Sequence, residues 1–200
     1  YTQYCNPDNN DKYDLLAMCQ LRKLDRIAVS NSQAGAGSAY HYKLVYDSSH
    51  RMMLTDLIRQ HYSINGVEIN ESKYGFRYDN LALLPVDCMS NRTDHWGYFN
   101  DAASVLPTSN SSATSFFNSK NPNPTKCKYG SLKTIIWPTG GATVFDYEIN
   151  DFSACVTPGQ TALQDTTGYG GGLRVSRITE YKDSTLGSQQ SYRTFTYKKP

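Results

Sequence analysis

Residues 93–100 read TDHWGYFN and place an acid, an imidazole and three aromatic rings within eight positions. Three kinds of role fit such a cluster. Asp94 and His95 are the residue types of a general acid–base pair. Trp96 and Tyr98, with His95 and Asn100, are the types of a stacking platform with hydrogen-bonding edges, as a sugar ring or a peptide would require. The third role is a packing plug. Read as a strand, the stretch sends sequence neighbours to opposite faces, so Asp94 and His95 are not expected to pair. Trp96 and Tyr98 would share one face, His95 and Gly97 the other, with Gly97 admitting a close backbone. The plug is the preferred reading. The candidate binding patch is His95, Trp96, Tyr98 and Asn100, and catalysis ranks last.

Elsewhere the reactive residue types are sparse. The histidines at 41, 50, 61 and 95 show neither H-x-H nor H-E-x-x-H spacing. The cysteines at 5, 19, 88, 127 and 155 form no C-x-x-C, so no metal site is expected. Cys5–Cys19 or Cys127–Cys155 would be disulfides in an exported protein, and buried free thiols are an equal alternative. Residues 168–174, GYGGGLR, lack the Lys-Ser/Thr of a phosphate loop and lead into a strand rather than a helix, so they read as a glycine-rich bend before a strand. Ser38 in GAGSAY lacks the G-x-S-x-G frame of a nucleophile. Asp146 and Glu148 share a face of FDYE, which reads as a solvated strand edge. A glycosidase needs two carboxylates at a set separation in space, which spacing in sequence does not supply. No catalytic residue and no cofactor is assigned.

The elements that would position these residues are strands. YHYKLVYD (40–47) alternates, with Tyr40, Tyr42, Leu44 and Tyr46 on one face. A strand within 51–62, the Asn65-Gly66 pair of a type I′ hairpin, and KYGFRYDN (73–80) continue an antiparallel meander. Leu132 to Trp137, the turn Pro138-Thr139-Gly140-Gly141, and Thr143, Phe145 and Tyr147 form a further hairpin. Residues 168–183 and 190–199 form the last one, through STLGS. Residues 21–29 read as extended, and residues 1–20 are compatible with one short helix. Residues 101–130 are rich in Ser, Asn, Thr and Pro without apolar periodicity and read as a long polar loop, with Phe116-Phe117 pinning it to the body. The expectation is one all-β domain over 1–200: a first meander at 21–100, the loop at 101–130, and hairpins at 131–200. They would form a sandwich-like or open twisted sheet of antiparallel hairpins.

Composition agrees. There are 16 Tyr against 7 Phe and 2 Trp, and Tyr suits a pleated, half-wet surface. A net charge of +2, with no basic run interleaved with aromatics, argues against a nucleic-acid partner. No apolar stretch nears the roughly 20 residues of a membrane-spanning helix, so direct membrane insertion is not expected. The chain begins at Tyr1 and reads as a piece of a longer protein, so the missing signal sequence says nothing about export.

Several segments taken in order resemble a known family. KLDRIAV, YHYKLVYD followed by RMMLTDLI, KYGFRYDN with LLP, DHWGYFN, LKTIIWPTGGATVFDYE and GGLRVSRI are similar to the segment that leads into the repeats of the large secreted YD-repeat (Rhs-like) proteins of Bacteroidetes. The resemblance covers about residues 21–198. It implies an exported or cell-surface protein built of β-hairpins wound into a shell, and a non-enzymatic structural module with neighbouring domains of the parent chain as partners. In that setting, Asp-Thr-Thr (165–167) and Asp-Ser-Thr (183–185) fit a short pattern that carries O-glycans. The alternative is a carbohydrate- or protein-binding module using exposed aromatics. The exposure of Trp96 and Tyr98 separates the two: burial favours the scaffold, and an open position beside 101–130 favours binding.

Overall fold

The computed structural model describes residues 23–30, 40–47, 49, 51–86, 90–103, 110–156, 159 and 161–198. Eight strands form one antiparallel sheet in strict chain order. They are β1 (Arg26–Val29), β2 (Tyr40–Asp47), β3 (Met53–Tyr62), β4 (Glu68–Tyr78), β5 (Leu132–Ile136), β6 (Ala142–Cys155), β7 (Gln164–Tyr181) and β8 (Gln189–Thr194). The class is all-β, and of the two expected arrangements the open sheet is the one seen. Among the described residues each strand pairs only with its neighbours in the ladder, and the sheet does not close on itself.

The hairpins are local, and their turns show why. In the β3–β4 turn the Gly66 N–H donates to the Ser63 carbonyl at 2.9 Å and the Ser63 N–H to the Val67 carbonyl at 2.8 Å. Gly66 has φ 77°, while Asn65 keeps a negative φ. The hairpin is as expected but its turn is not type I′: one positive φ suffices in a three-residue loop closed by glycine. The β5–β6 turn repeats this, with Gly140 N–H on the Trp137 carbonyl at 3.0 Å and Gly140 at φ 94°. Side chains reinforce the ladders. Tyr40 and Tyr42 meet edge to face with centroids 5.7 Å apart, and the Arg59 guanidinium lies 4.4 Å from the Tyr40 centroid.

The connection from β4 to β5, residues 79–131, overturns one expectation. It is not a featureless polar loop. It holds a helix, α1 (Asn110–Ser119), and 3-10 turns at Leu81–Leu83 and Lys126–Lys128. The helix carries no apolar stripe beyond Phe116-Phe117, which is why periodicity does not reveal it. The Lys120 and Asn121 N–H groups close its end on the Phe117 and Asn118 carbonyls, and Pro122 follows.

The core lies under this excursion rather than between two sheets. β5 pairs with β6 only over Ala142–Val144, whereas β6 and β7 pair along their whole length with three register shifts. The ribbon beyond β5 is covered by the excursion instead. Among the described residues the buried apolar groups are Phe99, Cys127, Ala142, Val144 and Ile149, and Phe99 stacks on Tyr129 at 5.9 Å. β6 lies between β5 and β7 in the sheet, so FDYE is not at a sheet edge, but its carboxylates are solvated as expected, Asp146 45 % and Glu148 41 % exposed. They are paired, Asp146 with Lys133 at 2.8 Å, and Glu148, together with Asp151, with Arg174 at 2.7 and 2.8 Å.

Candidate functional site

Residues 93–100 form a tight loop, not a strand. A single bridge joins Thr93 to Phe99, and the chain turns between them. Asp94 makes the turn. It is 4 % exposed, and its Oδ1 accepts the backbone N–H groups of Trp96 and Tyr98, both at 2.9 Å. Gly97 takes φ 90°, and a Cβ there would meet nothing within 4 Å. Its role is thus conformational freedom, a correction to the expected close approach. Asp94 and His95 do not pair, because the first is buried as a loop staple while the second is exposed.

The close approach occurs at Gly171. A Cβ there would lie 2.1 Å from Cγ of Trp96 and 2.4 Å from its Cβ, so the indole rests on the bare backbone of β7. The neighbouring Gly172 lies beside the Tyr98 hydroxyl, and Phe152 covers Gly168 in the same way. GYGGGLR is therefore the interior of β7, not a bend before it, and its missing side chains make a track for aromatic rings. Two register shifts, at Ile149/Asp151 and Phe152/Ala154, fall opposite this track.

Of the proposed patch, three members reach the surface. Trp96 is 56 % and Tyr98 36 % exposed. His95 sits with its ring 4.4 Å from that of Phe117 in α1, which places α1 beside the platform. Phe117 is itself 62 % exposed, so it does not pin the excursion to the body as expected, and the contact with the sheet is made by Trp96 on Gly171. Asn100 is a correction. It is 5 % exposed, its Nδ2 donates to the Ser119 and Asn121 carbonyls at 2.7 and 3.1 Å, and its Oδ1 accepts the Ala102 N–H at 3.0 Å. It ties the loop to the end of α1 and is not available to a ligand.

Asp101 completes the clamp by pairing with both Arg92, at 2.7 Å, and Lys126. The Lys126 hydrogen bond, helped by the charge of Arg92, holds its carboxyl below the ordinary aspartate range against a smaller opposing effect of desolvation. Cys127 is buried close by. Burial pushes its thiol up, the Asp94 charge adds to this, and Lys128 opposes it. Cys127 and Cys155 are both free, which is the free-thiol alternative of the two, with Cys127 buried and Cys155 partly exposed.

The loop also roofs a cavity of about 320 Å³ that local sequence does not reveal. Its wall includes Arg51, Ser90, Arg92, Tyr98, Tyr129 and Ser131, drawn from segments up to 80 residues apart. No motif could have announced it. The other reactive types are engaged structurally: His41 is 3 % exposed with Nε2 3.2 Å from Oε1 of Gln60, and His61 lies 3.0 Å from Glu71. His50, Ser38, Cys5, Cys19, Cys88 and the helix considered within 1–20 lie outside the described residues. Among the described residues no three His, Cys, Asp or Glu side chains are grouped to hold a metal ion, and no helix is long and apolar enough to cross a membrane. No protein-family model matches the chain, and neither the curated proteins nor the solved structures contain a match to it.

Proposed function

We propose that this chain is a non-enzymatic structural β module, one stretch of wall in a large exported Rhs-like surface protein, where it helps to enclose or present its neighbours. The observation that carries this reading is a meander whose first and last strands, among the described residues, pair on one side only. β1 and β8 are exposed along their whole length, and the buried apolar core is small. A sheet of this kind gains edge pairing and cover from whatever adjoins it. The partners implied are adjacent parts of the parent chain, at the cell surface or outside the cell. Amide hydrogen exchange on this chain, alone and extended by its flanking parent sequence, tests it. The outward N–H groups of β1 and β8 should exchange freely in the first and become protected in the second. Equal protection in both, with the short chain monomeric, refutes the reading.

A binding role is the second reading, and the exposure of Trp96 and Tyr98 beside α1 is the outcome that favours it over the scaffold, which stands first on its edge strands alone. With Trp137→Phe leaving Trp96 as sole reporter, iodide should quench a red-shifted emission, and a glycan or peptide that binds there should shield it. Emission that is blue-shifted and unquenched removes this reading.

A further inference from the structure

We infer that the cleft between the β5–β6 turn and β7–β8 is a binding site for a neutral sugar, whose ring stacks on Trp137 while its hydroxyls meet Glu180. The inference rests on neither reading above, since this cleft is built from other residues than the 93–100 loop and a shell wall can carry it. Four observations lead to it.

The first is the setting of Trp137. Its backbone closes the β5–β6 turn, with its N–H on the Gly141 carbonyl at 2.9 Å and its carbonyl accepting the Gly140 N–H at 3.0 Å. Its Nε1–H donates to Oγ1 of the buried Thr143 at 2.8 Å, and Tyr74 meets it edge to face at 5.8 Å. The residue is nevertheless 39 % exposed. A tryptophan at a boundary with water ordinarily keeps its rings dry and its N–H wet. Here the N–H is turned inward and satisfied, so what reaches solvent is hydrocarbon in a fixed orientation. A flat apolar surface that is already ordered takes a stacking ligand at low entropic cost.

The second is a carboxylate at the rim of that platform. Oε2 of Glu180 accepts the Thr143 hydroxyl at 2.6 Å, so one hydroxyl joins the indole N–H to the carboxylate and sets both. The Glu180 side chain is part-exposed, and its Oε1 has Arg193 3.9 Å away, beyond hydrogen-bond reach. A pyranose lying on an aromatic ring turns apolar C–H groups toward it and carries its hydroxyls around the rim, where this oxygen accepts them.

The third is the floor. Thr143 on β6, Glu180 on β7 and Ser191 on β8 stand directly opposite one another in the ladder, so they share one face of the sheet. The row crosses two strand spacings, about 10 Å, which leaves room for a two-ring sugar. Thr139, Lys182 and Gln190 complete a largely polar lining, and the cleft holds about 530 Å³, within the roughly 300–1,000 Å³ typical of small-molecule sites.

The fourth is charge. Lys182 stands in the lining and Arg193 beside Glu180. They offset the pull of the carboxylate on a cation, and the carboxylate turns an anion away. A neutral polyol is what this balance admits.

The test is a ¹H–¹⁵N chemical-shift titration of the whole chain with cellobiose, lactose and maltose, and with choline and acetate as charged controls. At least one of the sugars should saturate with a Kd on the order of 1 mM, as a ligand of this size allows, and should move the Trp137 indole N–H and the amides of 139–141, 180–182 and 190–191. Choline and acetate should bind at least about tenfold more weakly. Glu180→Gln keeps an acceptor for Thr143 but loses the charged one, and should weaken the sugar about fivefold. Trp137→Ala should abolish binding, and the wild-type panel decides the matter even where that variant fails to fold. No saturable shift with any of the three sugars overturns the inference, as does choline or acetate binding as tightly as the best of them, or an unchanged affinity in Glu180→Gln. Sugar shifts centred on the Trp96 indole N–H, with none at 137 or 180, overturn it too and place the ligand on the 93–100 loop.

Discussion

Gly171→Ala tests whether the 93–100 loop is held on the sheet by the missing side chain beneath Trp96. The added methyl would sit 2.1 Å from Cγ, 2.3 Å from Cδ2 and 2.4 Å from Cβ of Trp96. Because Cβ itself is in the way, turning the ring cannot clear the clash, and the loop must lift. Trp96 is 56 % exposed, so a little under half of an indole side chain's roughly 250 Å² is covered, about 110 Å². At about 25 cal/mol per Å² that cover contributes about 2.8 kcal/mol as an upper figure. His95 and Phe117 supply part of it and can move with the loop, so lifting forfeits about 1–2 kcal/mol. Alanine in a strand returns roughly 0.5–1 kcal/mol relative to glycine, leaving a net loss near 1 kcal/mol. Gly170→Ala is the matched control. Its methyl would meet only Asn150, at 3.9 Å, an ordinary contact, so this variant should be neutral or slightly stabilised. Two alanines one residue apart thus act with opposite sign. Urea unfolding followed by circular dichroism and by Trp96 emission, in a Trp137→Phe background, reads both. A Gly171→Ala midpoint equal to or above that of Gly170→Ala, with Trp96 emission unchanged, would refute the reasoning.

Three further outcomes follow from the same region. Asp94→Ala strips the Trp96 and Tyr98 N–H groups of their acceptor and should lower stability by about 1–3 kcal/mol in thermal unfolding, with Asp94→Asn losing less. The Asp101 carboxyl, depressed chiefly by Lys126 and then by Arg92, contributes stability that is complete above its ordinary unfolded value of about 4 and is lost as pH falls through the lower folded value. Asp101→Asn should therefore flatten the acid limb of a stability-against-pH curve below pH 5 or so, and an unchanged limb counts against the clamp. The Cys127 thiol, raised by burial and by Asp94, should be alkylated by iodoacetamide at least about tenfold more slowly than Cys155 at mildly alkaline pH, read by peptide mass mapping.

Strand positions were legible because Tyr, Thr and Ile alternate where one face is wetter than the other. Tyr40–Asp47 coincides with β2 residue for residue. The turn at Asn65-Gly66 was legible as a place but not as a geometry, since a dipeptide does not say how many residues the loop will spend. α1 was hidden because a helix held largely by polar contacts at its C-terminal end, with Asn100 on the Ser119 and Asn121 carbonyls, needs no amphipathic stripe. The 93–100 loop was misjudged as a strand for a related reason. Alternating aromatics look extended, but Asp94 captures two backbone N–H groups and folds the segment back. Nor could GYGGGLR have been read as strand interior from its own residues: glycine weakens a strand, and what restores it here is a tryptophan some 75 residues earlier in the chain. The cavity was invisible for the same cause, its walls meeting only once the start of β3 and distant parts of the excursion are assembled.

The 79–131 connection also governs how the chain reaches this structure. Every other ladder joins strands separated by ten residues or fewer, whereas β4 and β5 are separated by 53. Short hairpins close in about 1–10 μs. Closing the long connection costs about 2 kcal/mol more in chain entropy than closing a five-residue turn, at roughly 0.6 kcal/mol for each doubling of length. Two four-stranded stacks, β1–β4 and β5–β8, can therefore zip independently, and their joining is the slow and last step. In the native state the same boundary is where a sub-global opening starts, with each stack still paired within itself. The seam of the sheet is set there by the order of the chain, not by the number of bonds that cross it.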